Sequence, residues 1–282
     1  MKRFRIQTSC LTDQGKRRAK NEDRYVIRTL DDGSRILPLG LYAVLDGLGG
    51  HPEGERAAIL GQEYLENLPV SEVFPLVGDA EPIRPLVADK LQRRLLDALL
   101  KPFDISKGPE SGLPACVGNR IRRVCFGLAH KIYKENLSLG RKRPAWMMGT
   151  TLVLALVVGD AVVFLNVGDS AMLWVDETGT IKLAHEQEDP ATGVLIQALG
   201  ISPPDTIEPE TGVFEIPREG CLVLCSDGLS DLVTQDEVAN VANRLRVAPL
   251  IATELVNMAN DRGGHDNITL VVGAFEAYNP TP

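Results

Sequence analysis

TLVLALVVGDAVVFLNVGDS, residues 151–170, is the stretch whose reading decides the fold. Residues 151–158 are almost all apolar and rich in Val and Leu. Gly159-Asp160 interrupts them, residues 161–167 repeat the pattern, and Gly168-Asp169 closes it. A two-residue Gly-Asp loop between two such runs is a hairpin signal, so the two segments are predicted to pair antiparallel. Their lack of polar alternation predicts strands covered on both faces. Similar runs meet glycine and aspartate elsewhere. Residues 41–45 lead into Asp46-Gly47, residues 221–226 lead into Asp227-Gly228, and Asp266-Asn267 opens the run 268–272.

Helical patterns separate these strands. Residues 53–68 and 82–100 read as helices, although Pro85 interrupts the first turn of the second. Ile121, Val124, Cys125, Leu128 and Ile132 form one apolar stripe at helical spacing. Thr234 with Glu237 fits a capping box opening a helix that runs to Leu245, and a last helix covers 249–260 with proline in its first turn. This order predicts an α+β fold. Residues 1–282 read as a single domain with an elaborated connection at about 69–114.

Composition narrows the function. The 282 residues are 44% hydrophobic, enough for a sizeable core, and carry a net charge of −8. That acidity argues against nucleic acid or an anionic membrane as partner. No apolar run is long enough to span a bilayer. Met1-Lys2-Arg3-Phe4-Arg5 is basic, yet no apolar stretch follows it, so no secretory signal is expected. The five cysteines show no metal-site spacing, and Cys221 and Cys225 read as small buried hydrophobes, which predicts a reducing, cytoplasmic setting.

Asp46, Asp169 and Asp227 follow strand ends and Asp266 precedes a strand start. Antiparallel pairing sets the start of one strand beside the end of its neighbour, so all four can gather at one rim. Such a cluster repels itself unless protons or hard divalent cations compensate it. Two cations about 3.5–4 Å apart form the clamp that activates water for phosphoryl transfer.

Six motifs in order then resemble the metal-dependent protein phosphatases of type 2C, in their bacterial form. They are GKRRAKNEDR at 15–24, LDGLGGHPEGERA at 45–57, GTT at 149–151, NVGDS at 166–170, SDGLSD at 226–231 and HDNIT at 265–269. The resemblance implies two packed, mainly antiparallel β-sheets flanked by helices, an αββα sandwich, and a protein serine/threonine phosphatase with two Mn²⁺ or Mg²⁺ ions and a third, weaker site. Asp46 would bridge two metals, with the Gly47 carbonyl on one of them and Asp227 and Asp266 on the other. Glu22 would reach the metals through water, and Asp169 would serve the third site with Asp227. Arg18 would grip the substrate phosphate, and a metal-bridging water would attack phosphorus. Asp46, Asp227 and Arg18 are thus the expected catalytic residues.

The resemblance further implies phosphoprotein substrates and opposition to a Ser/Thr kinase; the sequence leaves the oligomeric state open, with a monomer as the expectation. The rival readings are a catalytically silent pseudophosphatase that binds phosphoproteins, and a two-metal nuclease. Four positions depart from the family pattern. Leu48 stands where animal members carry His, Ala171 stands where Arg is usual, and Asp189 and Gln197 lie in two altered stretches, HEQED at 185–189 and QALG at 197–200. Ser226, Ser170 and Thr150 read as hydrogen-bonding turn residues, His51 as a structural hydrogen bonder, and Trp146 and Trp174 as packing residues. The basic residues at 16–20, 120–123 and 141–143 read as solvated faces, or as a positive rim attracting phosphoprotein.

Overall fold

The computed structural model describes residues 4–29, 39–69, 72, 113–189, 191–192 and 194–277, with the backbone alone over 113–119. In chain order the strands are β1 (Phe4–Asp13), β2 (Arg24–Thr29), β3 (Leu39–Leu45), β4 (Leu152–Val158), β5 (Ala161–Val167), β6 (Ala171–Asp176), β7 (Gly179–Ala184), β8 (Glu210–Glu215), β9 (Gly220–Cys225) and β10 (Ile268–Ala277). The helices are α1 (Gly54–Glu66), α2 (Leu113–Ser138), the single turn α3 (Asp227–Ser230), α4 (Gln235–Leu245) and α5 (Ala248–Asp261). The expected helix at 82–100 and nearly all of the 69–114 connection lie outside the described residues.

The strands form two five-stranded sheets, ordered β1-β10-β9-β6-β7 and β2-β3-β4-β5-β8, and the paired strands run antiparallel throughout. The β4–β5 hairpin pairs Val158 with Ala161 around Gly159-Asp160. Gly159 sits at φ 63, a left-handed conformation that costs glycine nothing.

The unbroken apolar runs have a geometric cause. Successive side chains of a strand point to opposite faces, and here both faces are covered. Tyr42, Val44, Val153, Ala155, Val162, Trp174, Leu222, Leu224 and Phe275 fill the layer between the sheets. The alternate residues Leu41, Ala43, Leu45, Leu152, Leu154 and Leu156 face outward against Ala57, Leu65, Leu128 and Ile132 of α1 and α2. Val223 and Cys225 likewise meet Val238, Ile251 and Leu255 of α4 and α5. Three apolar layers result, and the αββα sandwich is the observed architecture. The capping box also forms: Thr234 Oγ1 accepts from the Glu237 N–H at 3.4 Å, and Glu237 Oε2 accepts from the Thr234 N–H at 3.0 Å.

One buried polar group ties the helical layer to the rim where the aspartates sit. Asn136, fully buried on α2, donates to the carbonyls of Met148 (2.9 Å) and Gly200 (3.0 Å) and accepts from the Met148 N–H (2.9 Å). Asn136→Ala would leave three buried backbone groups without partners. We expect a loss of about 3–5 kcal/mol in urea unfolding. A loss below about 1 kcal/mol would show that these bonds are dispensable.

Candidate metal centre

β3 and β5 run in the same direction within one sheet, so their C-terminal ends emerge on one rim. In the other sheet the end of β9 adjoins the start of β10, where the Ser226 N–H donates to the Thr269 carbonyl at 3.0 Å. The sandwich brings the two rims together. Asp46 after β3, Asp169 after β5 and Asp227 after β9 each offer an oxygen within 4.8 Å of the others. These are three of the four aspartates singled out in the sequence.

The fourth, Asp266, lies beside them. Its charge raises the pKa of Asp227, and its carboxylate accepts from the guanidinium of Arg18. Arg18 and Asp266, assigned to phosphate and metal by resemblance, are here paired with each other. Local packing explains the approach: the Arg18 loop turns at Gly15 (φ 73), where a Cβ would collide with the Asp266 carbonyl. Glu22 is held on the same loop through its backbone, whose N–H donates to Asn267 Oδ1 at 2.8 Å. Gly47 is buried between the backbones of Gly54 and Glu22, with no room for a side chain.

The electrostatics of the site are those of crowded anions. Asp46 is pushed well above the ordinary carboxylate range, first by loss of water and then by the charges of Asp23, Asp227 and Asp169. Asp227 is pushed up to about 7 by burial, then by Asp169 and Asp266. Asp169 rises to about 6, mainly by burial. Asp169 Oδ1 and Asp23 Oδ1 are buried with no hydrogen-bond donor. Orphaned carboxylate oxygens amid further carboxylates are hard anionic donors, and the residues present therefore fit Mg²⁺ or Mn²⁺.

Two residues around this cluster, Asp23 and Asn267, had no role assigned from the sequence. Asp23, 1% exposed and raised to about 6 chiefly by burial, accepts from Ser226 Oγ at 2.8 Å. Asn267 donates to the carbonyls of Gln14 (2.9 Å) and Lys20 (2.8 Å), fastening both ends of the Arg18 loop to the start of β10. The signal for both was adjacency, since each follows a residue already singled out.

The hydroxyls are engaged as expected. Thr150 Oγ1 donates to the Asp46 carbonyl at 2.8 Å, Thr151 Oγ1 accepts from the Asp46 N–H at 3.1 Å, and it bonds Ser170 Oγ at 2.9 Å. His51 Nδ1 donates to the Met147 carbonyl at 3.1 Å, a structural bond. Gln197, in the second altered stretch, bonds Gln187 Oε1 at 2.9 Å, and that oxygen also accepts from the Gly168 N–H at 3.0 Å beside Asp169. Asp189 caps its own turn through the N–H groups of Ala191 and Thr192. Trp174 is fully buried, as read from sequence. Trp146 is 58% exposed and is not a packing residue, because the turn at Pro144 lifts it off the sheet layers.

Comparison with known proteins agrees with this geometry. The family model described as protein phosphatase 2C matches residues 13–268. The serine/threonine phosphatase stp of Listeria monocytogenes serotype 4b is 32% identical over 143 residues, 44% of this chain and 56% of that protein. The chain thus spans little more than half the length of that relative in the matched stretch. Protein phosphatase PhpP of Streptococcus pneumoniae serotype 2 is 23% identical over 286 residues, covering 95% of this chain and 96% of that protein. Among solved structures, the catalytic domain of the serine threonine protein phosphatase PstP, in complex with two manganese ions, is similar with a TM-score of 0.67. Its sequence identity is 21%, over 96% of this chain and 98% of that one, and the likeness establishes the fold. From the match over residues 13–268, the chain belongs to the protein phosphatase 2C family.

Proposed function

We propose that this protein is a metal-dependent serine/threonine phosphatase acting on phosphorylated proteins. The observation that carries it is the convergence of Asp46, Asp169 and Asp227 within 4.8 Å at a rim faced by Arg18. Divalent cations bound there would supply Lewis acidity, acidifying a water and offsetting phosphoryl charge.

The protein's own groups divide the remaining work. Asp46, the Gly47 carbonyl, Asp227 and Asp266 would hold two Mn²⁺ or Mg²⁺ ions, with Glu22 as a more distant ligand group, and Asp169 with Asp227 would serve a third. Arg18 presents a planar fork to the phosphate oxygens, exchanging its contact with Asp266 for the substrate. Water attacks phosphorus in line, the phosphorus–oxygen bond to the seryl or threonyl side chain breaks, and inorganic phosphate leaves. A covalent phosphoenzyme is disfavoured, because Ser226, Ser170 and Thr150 already spend their hydroxyls on Asp23, Thr151 and the Asp46 carbonyl.

The two sheets contribute jointly to the site, which supports one catalytic domain. A monomer that opposes a Ser/Thr kinase in the cytoplasm is the biological setting we infer. Among the described residues no helix is long and apolar enough to cross a membrane. The test is a Mn²⁺ titration of phosphothreonine-peptide and p-nitrophenyl phosphate hydrolysis. Both rates should rise from baseline in EDTA and saturate with Mn²⁺. Absence of hydrolysis at every metal concentration would overturn the proposal in favour of a silent phosphoprotein binder.

A further inference from the structure

A basic, aromatic rim lies one loop away from Arg18. The loop at residues 48–53 is the intermediary. On one side Arg18 lies so close to Gly49 that a Cβ there would strike the guanidinium. On the other side the loop is fastened to residues 141–149. The Leu48 N–H donates to the Gly149 carbonyl at 3.0 Å, His51 to the Met147 carbonyl at 3.1 Å, and Arg141 to Glu53 Oε2 at 2.6 Å. Residues 142–146 are exposed throughout.

Within that segment a short 3₁₀ turn, Pro144–Trp146, closes through the Trp146 N–H to the Arg143 carbonyl at 2.8 Å. The turn folds the Arg143 guanidinium over the exposed Trp146 ring, 5.2 Å from its centroid. Stacking of this kind is worth something even in water and restrains an otherwise loose cation. Among the described residues no carboxylate forms an ion pair with Lys142 or Arg143. Two cations with no ion-pair partner among the described residues, on a chain of net charge −8 and with an aromatic face beside them, are a local exception to the overall acidity.

We propose that Lys142, Arg143 and Trp146 form a docking rim that selects phosphopeptides with acidic residues beside the phosphorylated serine or threonine. The Trp146 face carries the extended peptide, and the two cations meet its carboxylates while Arg18 holds the phosphate. This rests on the phosphatase reading. A globally acidic enzyme with an acidic centre would otherwise repel such substrates, and the rim offsets that repulsion where the peptide enters.

The experiment uses the full chain with saturating Mn²⁺. Three phosphothreonine peptides are compared: glutamates two to four residues before the phosphothreonine, glutamates after it, and serines on both sides. At least one acidic peptide should show a kcat/KM about three- to tenfold above the neutral one, and the gap should shrink in about 0.5 M salt. The Lys142→Ser/Arg143→Ser double variant should lose the preference and keep p-nitrophenyl phosphate hydrolysis. Trp146→Ala should raise KM for all peptides and leave the aryl phosphate unaffected. Equal kcat/KM for acidic and neutral peptides, or a preference that survives in the double variant, overturns the docking rim alone. No hydrolysis of any substrate overturns the phosphatase reading, and the rim with it.

Discussion

Asp46→Asn should reduce Mn²⁺-dependent phosphatase activity by ~10³-fold or more and at the same time raise the melting temperature of the protein in EDTA. The two effects have one cause. Asp46 sits among Asp23, Asp169 and Asp227, and its carboxyl is driven well above the ordinary range by burial and by those charges. A neutral amide of the same shape removes a source of repulsion and also removes an anionic cation ligand. Its backbone bonds to Thr150 and Thr151 do not involve the replaced group, so the fold should persist. Asp227→Asn should behave in the same way, because that carboxyl is raised to about 7 by the same crowding. Activity assays at saturating Mn²⁺ and thermal melts in EDTA check both signs. Activity within tenfold of the parent, or a melting temperature several degrees lower in EDTA, would contradict the assignment. Such a gain of stability on loss of function is the usual signature of a strained functional site.

Metal-free protein should lose stability as pH rises from about 4 to about 8. A carboxyl whose folded pKa exceeds its unfolded value binds its proton more tightly when folded. Its stabilising effect is complete below the unfolded value near 4 and disappears as pH passes through the folded value. Asp23 and Asp169 are raised to about 6 and Asp227 to about 7, which places the loss between pH 4 and 7. A rise of about two units corresponds to ~3 kcal/mol for a single site, and coupling among neighbours makes the sum smaller than additive. Carboxylates that are depressed, such as Glu237 at about 2 through its hydrogen bond to Arg262, contribute the opposite slope, but only at lower pH. In EDTA the melting temperature should therefore fall by about 5–10 °C between pH 5 and pH 8. Mn²⁺ should restore more stability at pH 8 than at pH 5, since deprotonated carboxylates bind it better. A higher melting temperature in EDTA at pH 8 than at pH 5 would refute this account.

The strands and the aspartates at their ends were legible because their signals are local. An apolar run closed by Gly-Asp announces a covered strand and a tight turn, and the β4–β5 hairpin follows from residues 151–169 alone. What remained illegible was long-range. Only Gly168, Asp169 and Ser170 separate β5 from β6, yet the chain leaves one sheet and enters the other there. No local pattern marks that crossing, since both strands are apolar on both faces. The same limit explains the unassigned roles of Asp23 and Asn267. Each is polar and near a motif, but its importance lies in partners such as Ser226 and Gln14, more than two hundred residues away. Trp146 misled for a different reason. Tryptophan is usually packed, and only the position of the Pro144 turn relative to the sheets reveals its exposure.

The position of Asp46 on one sheet and Asp227 on the other has a consequence for the whole molecule. A cation shared by the two would join layers that also meet through the apolar seam around Trp174 and Phe275 and through polar ties such as Ser226 to Asp23. It would act as a removable staple, closing a long loop of chain between positions 46 and 227 much as a disulfide would, but with a strength set by divalent-ion activity. The rigidity of this sandwich would then be a variable that its surroundings can tune.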